Sequence, residues 1–340
     1  MKTLSCAGVL AALALAGCGS QGTGAVPSGA GYVSLRDNVV AAKRGSVRVF
    51  DDTLGDPVPE AITTGPDGAL WYTDGGLDAI GRITTAGKYT LLQEAGAIPS
   101  VGIVTGPDKN LWFTLQQEYG GIGRITTAGV VTLFDDPGGE YTQGITVGPD
   151  GALWFAEFNG TVGRMTTKGK VTHFTVAPSD AELEGIVTGP DGNLWVTQYI
   201  VGGSRFSDQV IRVTPKGKYT SFTVDSGPKF ICVGPDKALW FTEIGSNALG
   251  RLTTSGKYTG FPTGGKYVEP SGIATGPDAA LWFTDFSGSE GIGRMTTQGK
   301  VQFYSVTGGG ELVEITPGPR GHMWFTSAME PAAIGRIAAR

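Results

Sequence analysis

The stretch GPDGALW at residues 148–154 decides the fold of this chain, because it is one copy in a series. The motif Gly-Pro-Asp-x-x-Leu-Trp begins at Gly65, Gly106, Gly148, Gly189, Gly234 and Gly276, with a degenerate copy at Gly318. The copies are 41 to 45 residues apart, and the seven tryptophans of the chain all occupy the last position of a copy. A period of this length indicates a repeat protein.

Each repeat contains four short runs of apolar and β-branched residues separated by turn residues, which predicts four strands. In the third repeat the predicted strands, A to D, are residues 144–147, 153–157, 162–165 and 170–175. Pro-Asp-Gly between strands A and B suits a type I turn, and Thr-Thr-x-Gly between C and D suits a short hairpin. Four strands in about 42 residues is the pattern of a β-propeller blade.

The two ends of the repeat region complement each other. The last repeat stops after its third strand, at residues 334–337, and the first is preceded by residues 46–50, which resemble an unpaired fourth strand. Residues 47–340 number 294, which is seven times 42. We therefore predict an all-β, seven-bladed propeller over residues 46–340, with four antiparallel strands per blade. The N-terminal strand would complete the last blade and leave no open edge.

Composition excludes several other classes of protein. The chain has 56 glycines, 40% hydrophobic residues and only 17% charged residues, which argues against a disordered chain and against a helical bundle. The net charge of −5 offers no basic surface, so no nucleic-acid partner is expected.

The N-terminal residues predict export. Residues 1–17 have the basic start and short apolar run of a secretory signal peptide. The tetrapeptide ending at Cys18 (Leu-Ala-Gly-Cys) resembles a bacterial lipobox, which implies cleavage before Cys18 and its acylation; a plain secreted protein is the alternative. Residues 18–45 would then be the lipidated cysteine and a flexible tether. We expect an exported protein held at the cell membrane or outer membrane by its lipid alone.

Residues repeated in every blade cannot mark a single active site. The tryptophans are predicted to pack between adjacent sheets. The repeated arginines, such as Arg164, are predicted to anchor the aspartates of the Gly-Pro-Asp turns or loop carbonyls. The seventh repeat has Arg320 in place of that aspartate, so its turn must be held differently. Cys232 lies in an apolar run and is predicted to be an inert core thiol.

Function is expected on the face formed by the B–C and D–A loops, because those loops vary between repeats. Two positions per blade are predicted to point into the channel mouth at that face. The third residue after each tryptophan is Asp74, Leu115, Glu157, Gln198, Glu243, Asp285 or Ser327. The second residue before the strand A isoleucine is Glu60, Val101, Gln143, Glu184, Lys229, Ser271 or Val313.

Six of these fourteen residues are carboxylates, which would make the mouth negative. Their oxygens suit Mg²⁺ or Ca²⁺; a solvated acidic rim is the alternative, and no organic cofactor is expected. The candidate metal ligands in this set are Glu157, Glu243 and Asp285. The candidate ligand-binding residues are Glu60, Asp74, Gln143, Glu184, Tyr141, Tyr199, Tyr267 and Phe286. The aromatic residues among them suit a pocket or, equally, the packing of loops.

The repeated pattern GPDGxLWFTE…IGRITTxGK is similar to that of the virginiamycin B lyase (streptogramin lyase) family over residues 47–340. The resemblance implies a seven-bladed propeller that opens a cyclic depsipeptide antibiotic by Mg²⁺-dependent elimination at its ester. It also implies four functional positions: a His at the start of one strand A, Glu-x-His one blade later, and a Glu sixteen residues after the first Glu.

This sequence keeps the two acidic positions, as Glu269 and Asp285, but has Lys229 and Ser271 at the two His positions. The resemblance therefore implies a metal site at Glu269 and Asp285, with Lys229, Glu269 and Ser271 as the candidate catalytic residues. Histidine suits an elimination base because its pKa is near the working pH, whereas lysine serves only where burial lowers its pKa. The two histidines present, His173 and His322, are predicted to be surface or packing residues away from the mouth.

The sequence is compatible with three functions. The first is a lipid-anchored, monomeric binding propeller that engages a small molecule, a peptide or an envelope protein at the loop face, without lyase activity of the usual kind. The second is a diverged Mg²⁺-dependent carbon–oxygen lyase acting on a cyclic depsipeptide or a related ester. The third is a structural or assembly role. The fold alone does not choose among them.

Overall fold

The structure, a computed structural model, describes residues 45–51, 55–93, 99–116, 120–199, 208–225, 227–265, 267–307, 310–328 and 332–340. Within these residues it contains seven antiparallel sheets of four strands each. The predicted all-β, seven-bladed architecture is therefore confirmed. The predicted signal peptide, Cys18 and all but the last residue of the predicted tether lie outside the described residues. In the described part of the chain, no helix is both long enough and apolar enough to span a membrane.

The strands of each blade follow the predicted order from the centre of the ring outward. The inner strands A are β2 (Pro59–Thr64), β6 (Pro99–Thr105), β10 (Thr142–Val147), β14 (Glu182–Thr188), β18 (Pro228–Val233), β22 (Pro270–Thr275) and β26 (Leu312–Gly318). Strands B are β3 (Leu70–Asp74), β7 (Leu111–Leu115), β11 (Leu153–Glu157), β15 (Leu194–Tyr199), β19 (Leu239–Glu243), β23 (Leu281–Asp285) and β27 (His322–Ser327).

The two outer strands complete each sheet. Strands C are β4 (Ala79–Ile83), β8 (Gly121–Ile125), β12 (Thr161–Met165), β16 (Gln209–Val213), β20 (Ala248–Leu252), β24 (Ile292–Met295) and β28 (Ala333–Ala338). Strands D are β5 (Tyr89–Gln93), β9 (Val131–Asp135), β13 (Val171–Thr175), β17 (Tyr219–Thr223), β21 (Tyr258–Pro262), β25 (Val301–Tyr304) and, for the last blade, β1 (Val47–Asp51).

The ring closes as the sequence predicts. Each inner strand packs against the inner strand of the next blade, and β26 of the last blade packs against β2 of the first. Strand β1 pairs antiparallel with β28, with Val47 opposite Ile337 and Phe50 opposite Ile334. The first strand of the ring thus covers the outer edge of the last blade.

The tryptophans form the core between blades, as predicted. All seven are fully buried. Trp112 of the second blade packs in one cluster with Leu153 and Phe155 of the third blade. An aromatic ring from strand D covers each of six tryptophans, as Phe174 does on Trp154 with ring centroids 5.4 Å apart. The sheets are therefore joined by apolar contacts that repeat around the ring.

The aspartate of the turn holds both the tryptophan and the arginine, which confirms the predicted role of the arginines. In the third blade Trp154 Nε1 donates to Asp150 Oδ1 at 3.0 Å, and Arg164 Nε donates to Asp150 Oδ2 at 2.6 Å. Partial burial raises the pKa of Asp150, but these two hydrogen bonds outweigh it and hold the pKa below its usual range. In the second blade, Asn110 replaces the arginine as the donor to Asp108 Oδ2.

The turn of the last blade is held differently, as expected from Arg320. A short 3₁₀ turn, Pro319–Gly321, replaces the usual turn, and Arg320 adopts a φ of 62°. Trp324 Nε1 is buried and has no hydrogen-bond partner among the described residues. Arg336 instead donates to the backbone oxygen of Thr85 in the first blade, at 2.8 Å.

A break in the register of strand A shapes the channel wall. In the fourth blade the pairing of β14 with β15 shifts between Leu183 and Ile186. The hydroxyl of Thr197 on β15 accepts a hydrogen bond from Gly185 N at 2.8 Å and donates to Lys229 O of the next blade at 2.5 Å. Equivalent threonines reach Glu60 O and Val313 O. These threonines fix the residues that line the channel.

Candidate functional site

The third residue after each tryptophan does not lie on an open rim, so this part of the predicted mouth is wrong. Asp74, Leu115, Glu157, Gln198, Glu243, Asp285 and Ser327 are each at most 2% exposed. The reason is the alternation of side chains along strand B, which places Glu157 on the same face as Phe155. That face packs against the neighbouring blade. These residues therefore lie between blades, beneath the loops.

Two aspartates at this position organise the loops above them. Asp285 Oδ1 accepts hydrogen bonds from Glu269 N, Ser287 N and Ser287 Oγ, at 2.8–3.2 Å. Its Oδ2 accepts from Ser289 Oγ and Glu290 N, at 3.0 and 2.9 Å. Asp74 Oδ1 does the same in the first blade, accepting from the amides of residues 58, 76 and 77. Both carboxylates hold the B–C and D–A loops together.

Asp285 consequently fits a Mg²⁺ ion poorly. A carboxylate has about four lone-pair positions, and five donors already point at this one. The structure does bring the two acidic family positions together, since Glu269 N lies 2.9 Å from Asp285 Oδ1. Glu269 is half-buried and lies near Glu311. The pKa of Glu311 is raised, chiefly by its burial and secondly by the charge of Glu269.

The strand A position lies on the inner strand of each blade, and its charged members act on one another. Burial, together with the Asp74 carboxylate, raises the pKa of Glu60 to about 7 against the opposing charge of Lys229. Burial and the Glu184 carboxylate raise the pKa of Glu182, and Lys229 again opposes the shift. Since Glu60 lies in the first blade and Lys229 in the fifth, these charges meet across the centre of the ring. Lys229 Nζ lies 5.7 Å from the centroid of the Phe230 ring.

The other strand A candidates are neutral. Gln143 and Ser271 are buried, with 5% and 7% of their surface exposed, respectively. Ser271 follows Pro270, the first residue of β22, and among the described residues no histidine stands at either of the two family positions. The structure thus places Lys229 and Ser271 on neighbouring blades of one channel wall.

Glu314 is a titratable residue of an inner strand that the sequence analysis missed. It lies on β26, where most other blades have glycine or alanine. Its Oε2 accepts a hydrogen bond from Ile62 N of the first blade at 2.7 Å, and burial raises its pKa to about 8. Aligning the repeats column by column would have shown a carboxylate at a position that holds glycine or alanine in five of the other six repeats.

The four aromatic candidates do not form one cluster. Tyr141 contacts Phe158, with ring centroids 6.3 Å apart, which supports loop packing. Tyr267 is 64% exposed. Tyr199 ends β15 and is half-buried, and Phe286 is placed by its amide, which donates to Glu269 O at 2.9 Å. Tyr267 and Phe286 flank the Glu269 loop, whereas the other two lie on separate blades.

The two remaining metal candidates have different partners. Glu243 Oε1 accepts a hydrogen bond from the Tyr258 hydroxyl at 2.7 Å, and burial raises the pKa of Glu243 to about 7. Glu157 lies 3.9 Å from His173 Nε2, which also lies 2.8 Å from Asp136 Oδ1. The prediction that His173 is a mere surface or packing residue is therefore wrong, because it joins two buried carboxylates.

Among the described residues, neither His322 nor Cys232 belongs to such a cluster. Burial, with the nearby charge of Arg336, lowers the pKa of His322 at the start of β27. Burial raises the pKa of the Cys232 thiol to about 12, which agrees with an inert thiol.

A separate cavity of about 360 Å³ opens between the third and fourth blades, lined in part by Gln198, Gln209 and Tyr219.

Known proteins share this architecture. A streptogramin B lyase is 26% identical, with a TM-score of 0.76 over 86% of this chain and 96% of that one. A catalytically inactive histidine-to-alanine variant of virginiamycin B lyase from Staphylococcus aureus, with quinupristin, is 31% identical, with a TM-score of 0.77 over 86% and 99%. A hydrazine synthase from Kuenenia stuttgartiensis shares the fold alone. It is 14% identical, with a TM-score of 0.70 over 84% of this chain and 97% of that one. No curated protein matches the sequence.

The model of the virginiamycin B lyase family matches residues 37–205 and 179–340. Together these ranges include every blade described above. The chain therefore belongs to the virginiamycin B lyase family.

Proposed function

We propose that this chain is an exported, lipid-anchored binding propeller that takes a small molecule, a peptide or an envelope protein at its channel mouth, and that it does not catalyse the elimination of its lyase relatives. One observation carries the proposal: Lys229 occupies a His position of the family and lies among channel carboxylates. A lysine side chain offers three hydrogen-bond donors and an anion partner, whereas histidine is the residue best suited to act as an elimination base.

The chemistry of the mouth supports a ligand with groups of both charges. Lys229 offers three donors, and Glu60 and Glu182 act on it from different blades. Near neutral pH the Glu60 carboxyl is close to its pKa of about 7, so it can donate or accept a hydrogen bond. A zwitterionic peptide or an amino sugar meets these requirements.

The alternative function is a diverged Mg²⁺-dependent carbon–oxygen lyase, and the proximity of Glu269 to Asp285 favours it. The S. aureus enzyme is catalytically inactive when one histidine is replaced by alanine. Here the two family histidine positions hold Lys229 and Ser271. Asp285 would also have to exchange hydrogen bonds of its loop for a metal ion. These points favour the binding propeller.

The decisive experiment incubates the purified protein with quinupristin, with and without Mg²⁺, and follows both ring opening and binding by calorimetry. We expect no ring opening. Turnover that requires Mg²⁺ and disappears in Lys229→Ala would establish the diverged lyase instead. Lys168→Ala, in an exposed C–D turn at the opposite end of the third blade, is the control for the loss of one lysine charge.

The lipid anchor is tested separately. We expect the wild-type protein to fractionate with membranes and to incorporate labelled fatty acid, and Cys18→Ala to do neither. Recovery of Cys18→Ala in the membrane fraction would contradict the anchor. We expect the detergent-solubilised protein to sediment as a monomer.

A further inference from the structure

Asp136, Glu157 and His173 form a cluster away from the channel, where the second and third blades meet. Asp136 follows β9 of the second blade, Glu157 ends β11 of the third, and His173 lies in the middle of β13. One candidate ligand atom from each residue lies within 4.8 Å of the other two. The His173 Nε2 atom is 2.8 Å from Asp136 Oδ1 and 3.9 Å from Glu157 Oε2. The cluster thus joins two blades.

The polar atoms of the cluster lack ordinary partners. Asp136 and Glu157 are 1% and 0% exposed, respectively. None of their four oxygens accepts a hydrogen bond of normal geometry from the described part of the chain, and the same holds for His173 Nε2. Buried polar atoms without partners are rare in native proteins and call for an unplaced ion, water or proton.

The fifth blade shows how the same position is satisfied without an ion. There the Tyr258 hydroxyl lies 2.7 Å from Glu243 Oε1. It also lies 3.0 Å from where a Cβ of Gly260 would be, and Gly260 pairs with Gly250 as His173 pairs with Gly163. The phenol therefore fills in the fifth blade the place that the imidazole has in the third. There a neutral phenol hydroxyl lies beside two carboxylates, Glu243 and Asp225, whereas the third blade places an imidazole nitrogen, a metal ligand, beside its two carboxylates.

From this arrangement we propose that Asp136, Glu157 and His173 bind a divalent transition-metal ion, zinc in particular, between the second and third blades. One imidazole nitrogen with two carboxylate oxygens is a donor set that zinc accepts, while Mg²⁺ and Ca²⁺ prefer oxygen ligands alone. Bonds of about 2.1 Å in a tetrahedral site put ligand atoms about 3.4 Å apart. The distances of 2.8 and 3.9 Å lie on either side of that value.

The surroundings of the cluster suit an ion held mainly by the protein. Gly139 lies directly over the carboxylates, and a Cβ at this position would clash with Glu157 Oε1 and Asp136 Oδ2. The side chain of His173 is 25% exposed while its Nε2 atom and the four carboxylate oxygens are buried, so the cluster lies just beneath the surface. A fourth position remains for water. The metal would tie the D–A loop at residues 136–141 to the third blade.

The test measures zinc binding by the full chain after chelator treatment, by calorimetry and by metal analysis of the dialysed protein. We expect one zinc per chain in the wild type, and at least tenfold weaker binding in His173→Ala and in Glu157→Gln. His322→Ala removes the other histidine of the chain and should bind zinc as the wild type does. Circular dichroism of each variant confirms that it is folded.

A second readout keeps the test independent of any one variant. Zinc should raise the melting temperature of the wild type and of His322→Ala, and leave that of His173→Ala unchanged. Absence of zinc binding by the wild type would overturn the proposal and favour a proton shared by Asp136 and Glu157. Equal zinc binding by His173→Ala would overturn it too, as would binding of Mg²⁺ or Ca²⁺ in preference to zinc.

Discussion

At the scale of single residues, the two carboxylate oxygens of the turn aspartate explain why tryptophan, aspartate and arginine recur together in the repeats. Asp150 accepts from Trp154 with one oxygen and from Arg164 with the other. The indole N–H is thereby satisfied inside the sheet stack, and the turn is fixed to strand C. The last blade dispenses with this arrangement and leaves Trp324 Nε1 without a partner among the described residues.

That difference gives a matched pair of variants. We expect Asp150→Ala to lower the free energy of unfolding by about 1–3 kcal/mol, because it leaves a buried indole N–H unpaired. The partly exposed contact with Arg164 adds little to this loss. Arg320→Ala changes the equivalent residue of the last blade, where no such bond exists, and should be nearly neutral. Urea unfolding of both variants measures the difference, and equal losses would contradict the account.

Glu314 should make stability depend on pH. Its folded pKa of about 8 lies above that of an unfolded glutamate, so the folded state keeps its proton over a range in which the unfolded state loses it. Its contribution to stability is complete below about pH 4.5 and is lost as the pH rises towards 8. Glu60, with a pKa of about 7, acts in the same direction.

We expect Glu314→Gln to flatten this dependence. At pH 8 the variant should melt about 2 °C or more above the wild type, and at pH 4.5 the two should agree. The glutamine oxygen can still accept the hydrogen bond from Ile62 N. Calorimetric melting across pH 4–9 tests this expectation, with Asp180→Asn as the control for the removal of an exposed charge. Parallel curves for Glu314→Gln and the wild type would refute it.

At the scale of strands, the break in strand A links the channel wall to strand B. Thr197 accepts from Gly185 N and donates to Lys229 O, so its hydroxyl spans two blades. Thr197→Val keeps the shape of the side chain but leaves the Gly185 N–H without its hydrogen-bond acceptor. We expect a loss of about 1–3 kcal/mol in stability and, through the released Lys229 backbone, weaker binding at the mouth. Thr197→Ser retains the hydroxyl and should bind as the wild type does, which unfolding and calorimetry can check.

The strands also show how far the sequence predicts the site. The repeats predict the blade, its four strands and the structural role of Trp154 and Arg164, because these contacts recur and are local. The sequence places Lys229 and Glu60 on strand A, and the structure has both on inner strands. It misplaces Asp285 and Glu157, because the depth of a side chain on strand B depends on the next blade. It misses the partnership of His173 with Asp136, which joins residues of different blades.

At the scale of the whole molecule, the ring depends on one non-local strand pair. Phe50 of β1 stacks on Trp324, with ring centroids 5.5 Å apart and an interplanar angle of 6°. Phe134 stacks in a similar way on Trp112, within one continuous blade. The two contacts bury similar rings, but only the first holds the closing strand.

We therefore expect Phe50→Ala and Phe134→Ala to cost similar stability, about 3 kcal/mol each. They should differ in local opening. In Phe50→Ala the amides of β28 should exchange faster with solvent and residues 45–51 should become sensitive to protease, because β1 no longer stays paired. Hydrogen exchange resolved by peptide measures this. Equal protection of β28 in both variants would show that the closing strand is held by its backbone alone.

The closing strand also determines when, during synthesis of the chain, the ring can close. Val47 and its partner Ile337 are 290 positions apart along the chain, so β1 leaves the ribosome roughly 15–60 s before the strand that receives it. During that interval β1 has no edge strand to pair with, because β28 has not been made. Translation that halts within the last blade would yield a chain with an unsealed seam, which quality-control proteases could recognise. The ring can therefore close only after the last strand has been synthesised.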